Sequence, residues 1–194
     1  MDISALFLYL FTTSITPGPN NLMCLYLGAK GGLRGTRRFL IGSVGSVFIK
    51  ALLCGLLNVL LASFVPRLIP WLKWLGAFYM LWLAFSMIRS AGSEQITAEN
   101  SGESTVRAGI LLQCLNMKSW IAAISVFSVY VIPHTTSVRA IALTALLMTG
   151  LIALASLCWT LFGKAVQRLY RQYRLPLSIV MAASLVFCAY TAVR

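Results

Sequence analysis

The chain has 194 residues, of which 59% are hydrophobic, 16 are basic and only 4 are acidic, for a formal net charge of +12. That balance disfavours a water-soluble domain, and five or six membrane spans of about 20 residues each would use nearly all of the apolar side chains. The basic residues come in small clusters between long apolar stretches, which argues against one nucleic-acid-binding surface. We therefore expect an all-α integral membrane protein, with residues 1–194 in one transmembrane domain and no separate soluble domain.

Apolar runs bounded by charge, Pro or Gly predict six transmembrane helices. They cover residues 3–29, 39–64, 68–89, 108–132, 138–162 and 175–193. The first run lacks a basic leading region and is longer than the apolar part of a signal peptide, so we expect it to be a retained span. The predicted breaks between the runs are residues 30–38, 65–69, 89–107, 133–139 and 163–174. The second break is so short that spans two and three should form a tight helical hairpin.

The two groups of three spans define the predicted domain organisation. Residues 1–89 form the first three-helix half, residues 90–107 a flexible cytoplasmic linker, and residues 108–194 the second half. Ten Lys and Arg side chains flank the span ends on one side and four flank those on the other. Because cytoplasmic flanks are enriched in Lys and Arg, the ten-charge side should be cytoplasmic and both termini should lie outside.

The first predicted span is interrupted near its middle by polar and helix-breaking residues. The interrupting sequence is Thr16, Pro17, Gly18, Pro19, Asn20 and Asn21. Two prolines and a glycine should break the helix, and unwound backbone at this depth is tolerated only where protein or a water-filled cavity covers it. Such a break offers free N–H groups and amide side chains to an anionic group. The alternative is a simple proline kink.

The fourth predicted span carries a second polar interruption, with Gln113, Asn116 and Lys118 within six residues. Because each half has an odd number of spans, the two halves have opposite orientations in the membrane, and the first and fourth spans would occupy equivalent positions. Corresponding interruptions in two inverted repeats indicate a binding site where the halves meet. The alternative for Gln113 and Lys118 is snorkelling to the membrane interface.

Lys50 lies near the centre of the second predicted span, where a charged side chain costs about 2.5–3.5 kcal/mol. The spans contain no carboxylate that could pair with it. We hypothesise that the carboxylate of a substrate is its counter-ion. The alternative is a lysine whose ammonium is satisfied by backbone carbonyls or water.

Other residues give weaker functional signals. The five cysteines show no Cys-x-x-Cys pair and are expected to be buried thiols, and no metal-ligand cluster or cofactor motif is present, so we expect no cofactor. The aromatic residues of the third span recur at helical spacing, which favours packing or interfacial anchoring over a substrate path. These residues are Trp71, Trp74, Phe78, Trp82 and Phe85.

The sequence resembles the lysine exporter and homoserine/threonine exporter family (LysE/RhtB) over essentially its whole length. The segments that carry the resemblance are residues 15–21 (ITPGPNN), Gly32, Gly42, residues 74–84 (WLGAFYMLWLA) and residues 115–118 (LNMK). The residues from Gln167 to Ala189 look most like the branch that exports cysteine and O-acetylserine. Met117 stands where many members carry proline, which implies a less sharply broken fourth helix. The resemblance implies a bacterial inner-membrane exporter of amino acids driven by an ion gradient.

The sequence thus predicts six helices in two inverted repeats, with a site for a small zwitterionic solute between broken first and fourth helices. The substrate carboxylate would meet the first break and Lys50 or Lys118, while Gln113 and Asn116 hydrogen-bond its polar groups. Two alternatives stay open: a membrane thiol oxidoreductase that uses Cys24 or Cys114, and a membrane scaffold subunit without transport. A proton as coupling ion and a homo-oligomeric state also stay open.

Overall fold

A computed structural model of the protein describes residues 3–91 and 104–193, and nearly all of these residues are helical. The helices are α1 (Ile3–Ile15), α2 (Pro19–Leu56), α3 (Asn58–Ala91), α4 (Val106–Leu115), α5 (Met117–Ser125), which continues into a π-helical segment (Val126–Val131), α6 (Val138–Ala165), α7 (Gln167–Gln172) and α8 (Arg174–Val193). Most of the predicted linker, residues 92–103, lies outside the described residues, as do all four acidic residues of the chain, Asp2, Glu94, Glu99 and Glu103.

Helix α2 folds back on itself at Gly32. This glycine has φ 61° and ψ −156°, a backbone conformation that side chains with a Cβ rarely adopt. The Ser43 hydroxyl donates a 2.6 Å hydrogen bond to Asn20 Oδ1. In a straight helix these two residues would be about 34 Å apart, so α2 consists of two arms, residues 19–31 and 33–56, that lie side by side.

Two of the predicted breaks are therefore wrong in detail. The loop predicted at residues 30–38 is reduced to the single turn at Gly32, because the basic side chains of Arg34, Arg37 and Arg38 are exposed and leave the helix intact. The break predicted at residues 65–69 is helical, and the interruption lies at Leu57 instead. With the second arm of α2 beginning at residue 33, its 24 residues span about 36 Å by Leu56, which already crosses the hydrocarbon layer.

The two arms of α2 each pack closely against another helix. The first arm packs on α6, where a Cβ on Gly163 would lie 2.2 Å from the Leu25 carbonyl oxygen. The second arm packs on α4, where a Cβ on Gly109 would lie 2.3 Å from the Phe39 carbonyl oxygen. Only glycine permits backbones to approach this closely, as small residues do in helix pairs within membranes. The third main pairing is α3 with α8.

Four of the described helices are long and apolar enough to cross a membrane, or five if the bent pair formed by α4 and α5 with its π-helical extension counts as one span. The large hydrophobic side chains on the outside of the bundle include the whole aromatic stripe of α3, with Trp71 the most exposed. A bundle with long apolar helices and an apolar exterior is a multi-pass membrane protein. These aromatic side chains face outward, so they do not pack inside the bundle formed by the described residues.

Candidate functional site

The first helix is broken, as the sequence predicts, over residues 16–18. Helix α1 ends at Ile15, and Gly18 precedes Pro19 in an extended conformation, with φ −165° and ψ 175°. The Asn21 side chain reaches back across the break, donating hydrogen bonds of 2.8 Å to the Ser14 carbonyl and 3.0 Å to the Thr16 carbonyl. A proline kink would leave the helix nearly continuous, whereas here an amide side chain replaces the lost helical hydrogen bonds.

The second break lies at Asn116, between α4 and α5. Asn116 has φ −81° and ψ 96°, and the two helices meet at a bend of 64°. The Trp120 indole Nε1–H donates a 2.8 Å hydrogen bond to the Cys114 carbonyl on the other side of the break. One extended residue at Asn116 thus turns the chain without a proline, and the expectation that Met117 makes this break less sharp than in relatives with proline stays a prediction.

Each break ends a half-helix whose last carbonyls accept from a lysine of another segment. Lys118 Nζ donates a 2.9 Å hydrogen bond to the Thr16 carbonyl at the end of α1. Lys50 Nζ donates a 2.8 Å hydrogen bond to the Gln113 carbonyl near the end of α4. A cation at a helix C-terminus satisfies unpaired carbonyls and interacts favourably with the helix dipole. The two intramembrane lysines thus bind the two breaks in the same way.

Lys50 is 95% buried and makes two further contacts besides the one to Gln113. Its Nζ donates a 2.7 Å hydrogen bond to the Ser119 hydroxyl and lies 5.0 Å from the centre of the Trp120 ring. Since no acidic residue falls within residues 3–91 or 104–193, its partners there are neutral. These contacts match the alternative of a lysine satisfied by carbonyls, and the hypothesis of a substrate counter-ion stays a hypothesis.

A chain of buried polar side chains connects the first break to α4 and α6. Asn20 Nδ2 donates to the Ser156 hydroxyl at 3.0 Å, and Ser43, bonded to Asn20 Oδ1, accepts from Gln113 Nε2 at 3.2 Å. Gln113 is 98% buried, and its Oε1 has no hydrogen-bond partner among the described residues. A buried acceptor without a partner is costly, so Gln113 Oε1 is a position where a ligand donor would be stabilised.

The two breaks enclose a cavity of about 50 Å³, which we call the central cavity. Six predicted site residues line it: Gly18, Asn20, Asn21, Gln113, Asn116 and Lys118. The other four do not line it. The Thr16 carbonyl accepts from Lys118, which lines the cavity, and Lys50 lies behind Ser119 and Gln113. Pro17 and Pro19 line a second, larger cavity.

Several lining or supporting residues were missed by sequence reasoning. Ser156 holds Asn20 from α6, and Ser119 lines the cavity next to Lys50. The wall is completed by Leu10, Thr13 and Ser14 of α1, Ala122 of α5, and Met148 and Ile152 of α6. The only signal in the sequence is a small hydroxyl residue in an otherwise apolar helix, which is too common in membrane helices to single out Ser156.

The cysteines are only partly as expected. Cys24 and Cys54 are buried, whereas Cys114 and Cys158 are exposed and Cys188 is half-buried. The expectation of five buried thiols is therefore wrong for three of them. Cys24 and Cys114, either of which a thiol oxidoreductase was expected to use, are both free thiols.

Comparison with known proteins assigns the whole chain to one transporter family. A model of the LysE type translocator family matches residues 11–194. The chain belongs to the LysE type translocator family. Two proteins named cysteine/O-acetylserine efflux protein, from Escherichia coli (strain K12) and Shigella flexneri, are each 33% identical to this translocator over 187 residues, covering 96% of its chain and 95% of theirs. No solved structure matches it.

Membership of the LysE type translocators confirms the predicted family resemblance, including its likeness to the cysteine and O-acetylserine branch. It also confirms the prediction of an amino-acid exporter over the thiol oxidoreductase and the scaffold subunit, since the relatives that match over nearly their whole length are efflux proteins. The site described above is therefore the candidate solute site of a transporter.

Proposed function

We propose that this translocator exports a small zwitterionic amino acid or related metabolite from the cytoplasm. Cysteine or O-acetylserine is the first candidate, because the relatives named above are efflux proteins for those two solutes, and homoserine, threonine or another neutral amino acid is the wider class. The observation that carries the proposal is the central cavity between the two broken helices, which is lined by Lys118 and by Gln113, whose buried Oε1 has no hydrogen-bond partner among the described residues. The Lys118 ammonium suits a substrate carboxylate, and the Gln113 amide oxygen suits a substrate ammonium.

In the proposed binding mode the central cavity, about 50 Å³ in this conformation, widens to admit the substrate, whose carboxylate then contacts Lys118 and the start of α2. The first N–H groups of a helix are not bonded within the helix and, together with the helix dipole, attract anions. Asn20 and Asn21 lie in that first turn and line the cavity. The substrate ammonium donates to Gln113 Oε1, and Asn116 adds an amide at the second break. Lys50 acts indirectly, through Ser119 and the Gln113 carbonyl that it holds.

We further propose six spans in two inverted three-helix repeats. The fold-back at Gly32 divides the 38 residues of α2, so that α1 with the first arm forms one broken span and the second arm forms the next. Spans one to six are then α1 with the first arm, the second arm, α3, α4 with α5 and the π-helical segment, α6, and α8. Helix packing fits this assignment, because span one pairs with five, span four with two, and span three with six. Exchanging each span with its counterpart in the other half, one with four, two with five and three with six, gives the same three pairs, as expected for an inverted repeat.

The proposed orientation in the membrane follows from the charges, and the proposed transport cycle follows from the inverted repeat. The enrichment of Lys and Arg at cytoplasmic flanks supports an orientation with Arg34, Arg37, Arg38 and Lys164 on the cytoplasmic side and both termini outside, in the inner membrane of a bacterium. Transport then occurs by rocking of one half against the other around the central cavity. No chemical step is required of the protein. We propose proton movement as the coupled gradient, which a protonophore should collapse in export assays.

The decisive experiment measures solute flux by purified protein in liposomes, with labelled cysteine, O-acetylserine, homoserine, threonine and lysine. We expect saturable flux of one or more neutral solutes by the wild type. Lys118→Gln keeps a donor for the Thr16 carbonyl but removes the positive charge, so it should raise the half-saturation concentration about tenfold or more. Lys164→Gln, at an exposed position outside both cavities, is the matched control. Absence of flux for every solute, or equal behaviour of the two variants, would overturn the proposal.

A further inference from the structure

A second cavity, about 350 Å³ in volume, lies against the same two breaks. We call it the outer cavity. It is lined by α3 and α8 together with both breaks, whereas the central cavity is lined by α1 and α6 together with both breaks. Only Gly18, Asn116 and Lys118 line both. Small-molecule pockets in proteins are typically about 300–1,000 Å³, so the outer cavity is large enough for a solute of amino-acid size.

The outer cavity has the chemistry of a carboxylate site. Two lysines, Lys73 from α3 and Lys118 from α5, line it, with the Asn116 amide and the Thr191 hydroxyl as further polar groups. Leu72, Met80, Leu112, Leu115, Met117 and Ile121 supply most of the remaining wall. Two lysines in a mostly apolar cavity, with no carboxylate among the described residues, fit a small solute that carries its own carboxylate.

Lys118 lies where the two cavities meet, because it lines both of them. A Cβ on Gly18 would lie 3.4 Å from Lys118 Cδ and 3.5 Å from its Nζ, so the lysine lies directly along the glycine. Its Nζ is held by the Thr16 carbonyl on the far side of the first break. This single 2.9 Å hydrogen bond joins the two breaks, and a carboxylate that competes for the ammonium would release it.

We propose that the outer cavity is a second solute site, in which the carboxylate of the exported solute is held between Lys73 and Lys118 after it leaves the central cavity. This proposal rests on the export function proposed above. Lys73 lies near the beginning of the apolar part of α3, Pro70–Ala91, and Thr191 near the end of α8. In the proposed orientation both positions are on the extracytoplasmic side. The outer cavity is therefore the release site, and Lys118 transfers the carboxylate to it.

Cys188 gives a direct probe of this site because it lines the outer cavity but not the central one. The experiment uses the full chain in lipid nanodiscs, with Cys188 as the only cysteine, and measures the rate of modification by a small methanethiosulfonate reagent. O-acetylserine is the protecting solute, since cysteine would consume the reagent. A variant that retains only Cys158, which is exposed on α6 and lines neither cavity, is the matched control.

We expect O-acetylserine to slow modification of Cys188 several-fold and to leave Cys158 unchanged. Lys73→Gln should raise the solute concentration needed for protection about tenfold, the effect of losing one hydrogen bond between charged groups. Saturable flux without protection of Cys188 would overturn the second site but leave the export function standing. Absence of both protection and flux would overturn the export function itself.

Discussion

Lys50 Nζ lies 2.8 Å from the Gln113 carbonyl oxygen, so a cation on the second arm of α2 holds the end of the half-helix α4. Gln113 also lines the central cavity, and its buried Oε1 has no hydrogen-bond partner among the described residues. Lys50 therefore holds the backbone of Gln113, while Gln113 also lines the central cavity. Lys50 is a positioning residue in this arrangement, because it reaches the cavity only through Gln113 and Ser119.

Replacing Lys50 by Met should reduce the transport rate about tenfold or more while the protein still folds. The change leaves the Gln113 carbonyl and the Ser119 hydroxyl without their donor, and a hydrogen bond to a charged group contributes about 1.5–3 kcal/mol. Methionine also removes the desolvation cost of the buried charge, which offsets the loss of these bonds in the stability of the fold. Flux in liposomes and the melting temperature in detergent measure the two effects.

Comparing the maximal transport rate with the half-saturation concentration distinguishes a residue that positions the site from one that contacts the substrate. Lys50→Met should lower the maximal rate more than it raises the half-saturation concentration, whereas Lys118→Gln should do the reverse. If Lys50→Met instead raised the half-saturation concentration as much as Lys118→Gln does, Lys50 would contact the substrate directly.

Removing the Asn20 side chain should destabilise the protein through its two hydroxyl partners. Asn20→Ala leaves Ser43 and Ser156 without their bonds to the amide, and each unsatisfied buried group costs about 1–3 kcal/mol. The melting temperature should fall by about 2–4 °C per kcal/mol for a chain of this size. Asn20→Ala with Ser43→Ala should cost less than the sum of the two single changes, because both remove the same bond. Strict additivity would show that the Asn20–Ser43 bond contributes nothing.

Much of this site is readable from local sequence, but its tertiary partners are not. Prolines and a glycine at residues 17–19 mark the first break, and Asn116 and Lys118 mark the second, because each acts on its own backbone or is costly in lipid. Where the chain folds back at Gly32, the sequence predicts a nine-residue loop because three arginines follow one another closely. In the structure those arginines are exposed on a helix, which tolerates them. The bond from Asn20 to Ser156 joins residues 136 positions apart, and no local pattern encodes it.

The close contact between α6 and the first arm of α2 predicts a strong effect at Gly163. Gly163→Ala places a Cβ 2.2 Å from the Leu25 carbonyl oxygen, so the two helices must separate. We expect a melting temperature lowered by several degrees and reduced accumulation in the membrane, as overpacking costs about 1–3 kcal/mol. Gly45→Ala and Gly150→Ala are the controls, since nothing lies within 4 Å of a Cβ at either position. Equal melting temperatures for all three variants would mean that the contact is not tight in the membrane.

Proline should be accepted at position 117 because the second break already has the backbone that proline requires. Met117 is the first residue of α5, where the missing N–H of proline breaks no helical bond. Asn116 before it is extended, with ψ 96°, and a residue that precedes proline favours an extended backbone. Met117→Pro should retain both the melting temperature and solute flux.

The matched control for Met117→Pro is Ile124→Pro, which lies inside α5 and lines neither cavity. Proline there removes a helical hydrogen bond and should cost about 3 kcal/mol or more, abolishing accumulation of folded protein. Loss of flux in Met117→Pro with an unchanged melting temperature would show that the break must straighten during transport. A fall in melting temperature as large as that of Ile124→Pro would show that α4 and α5 are continuous in the membrane.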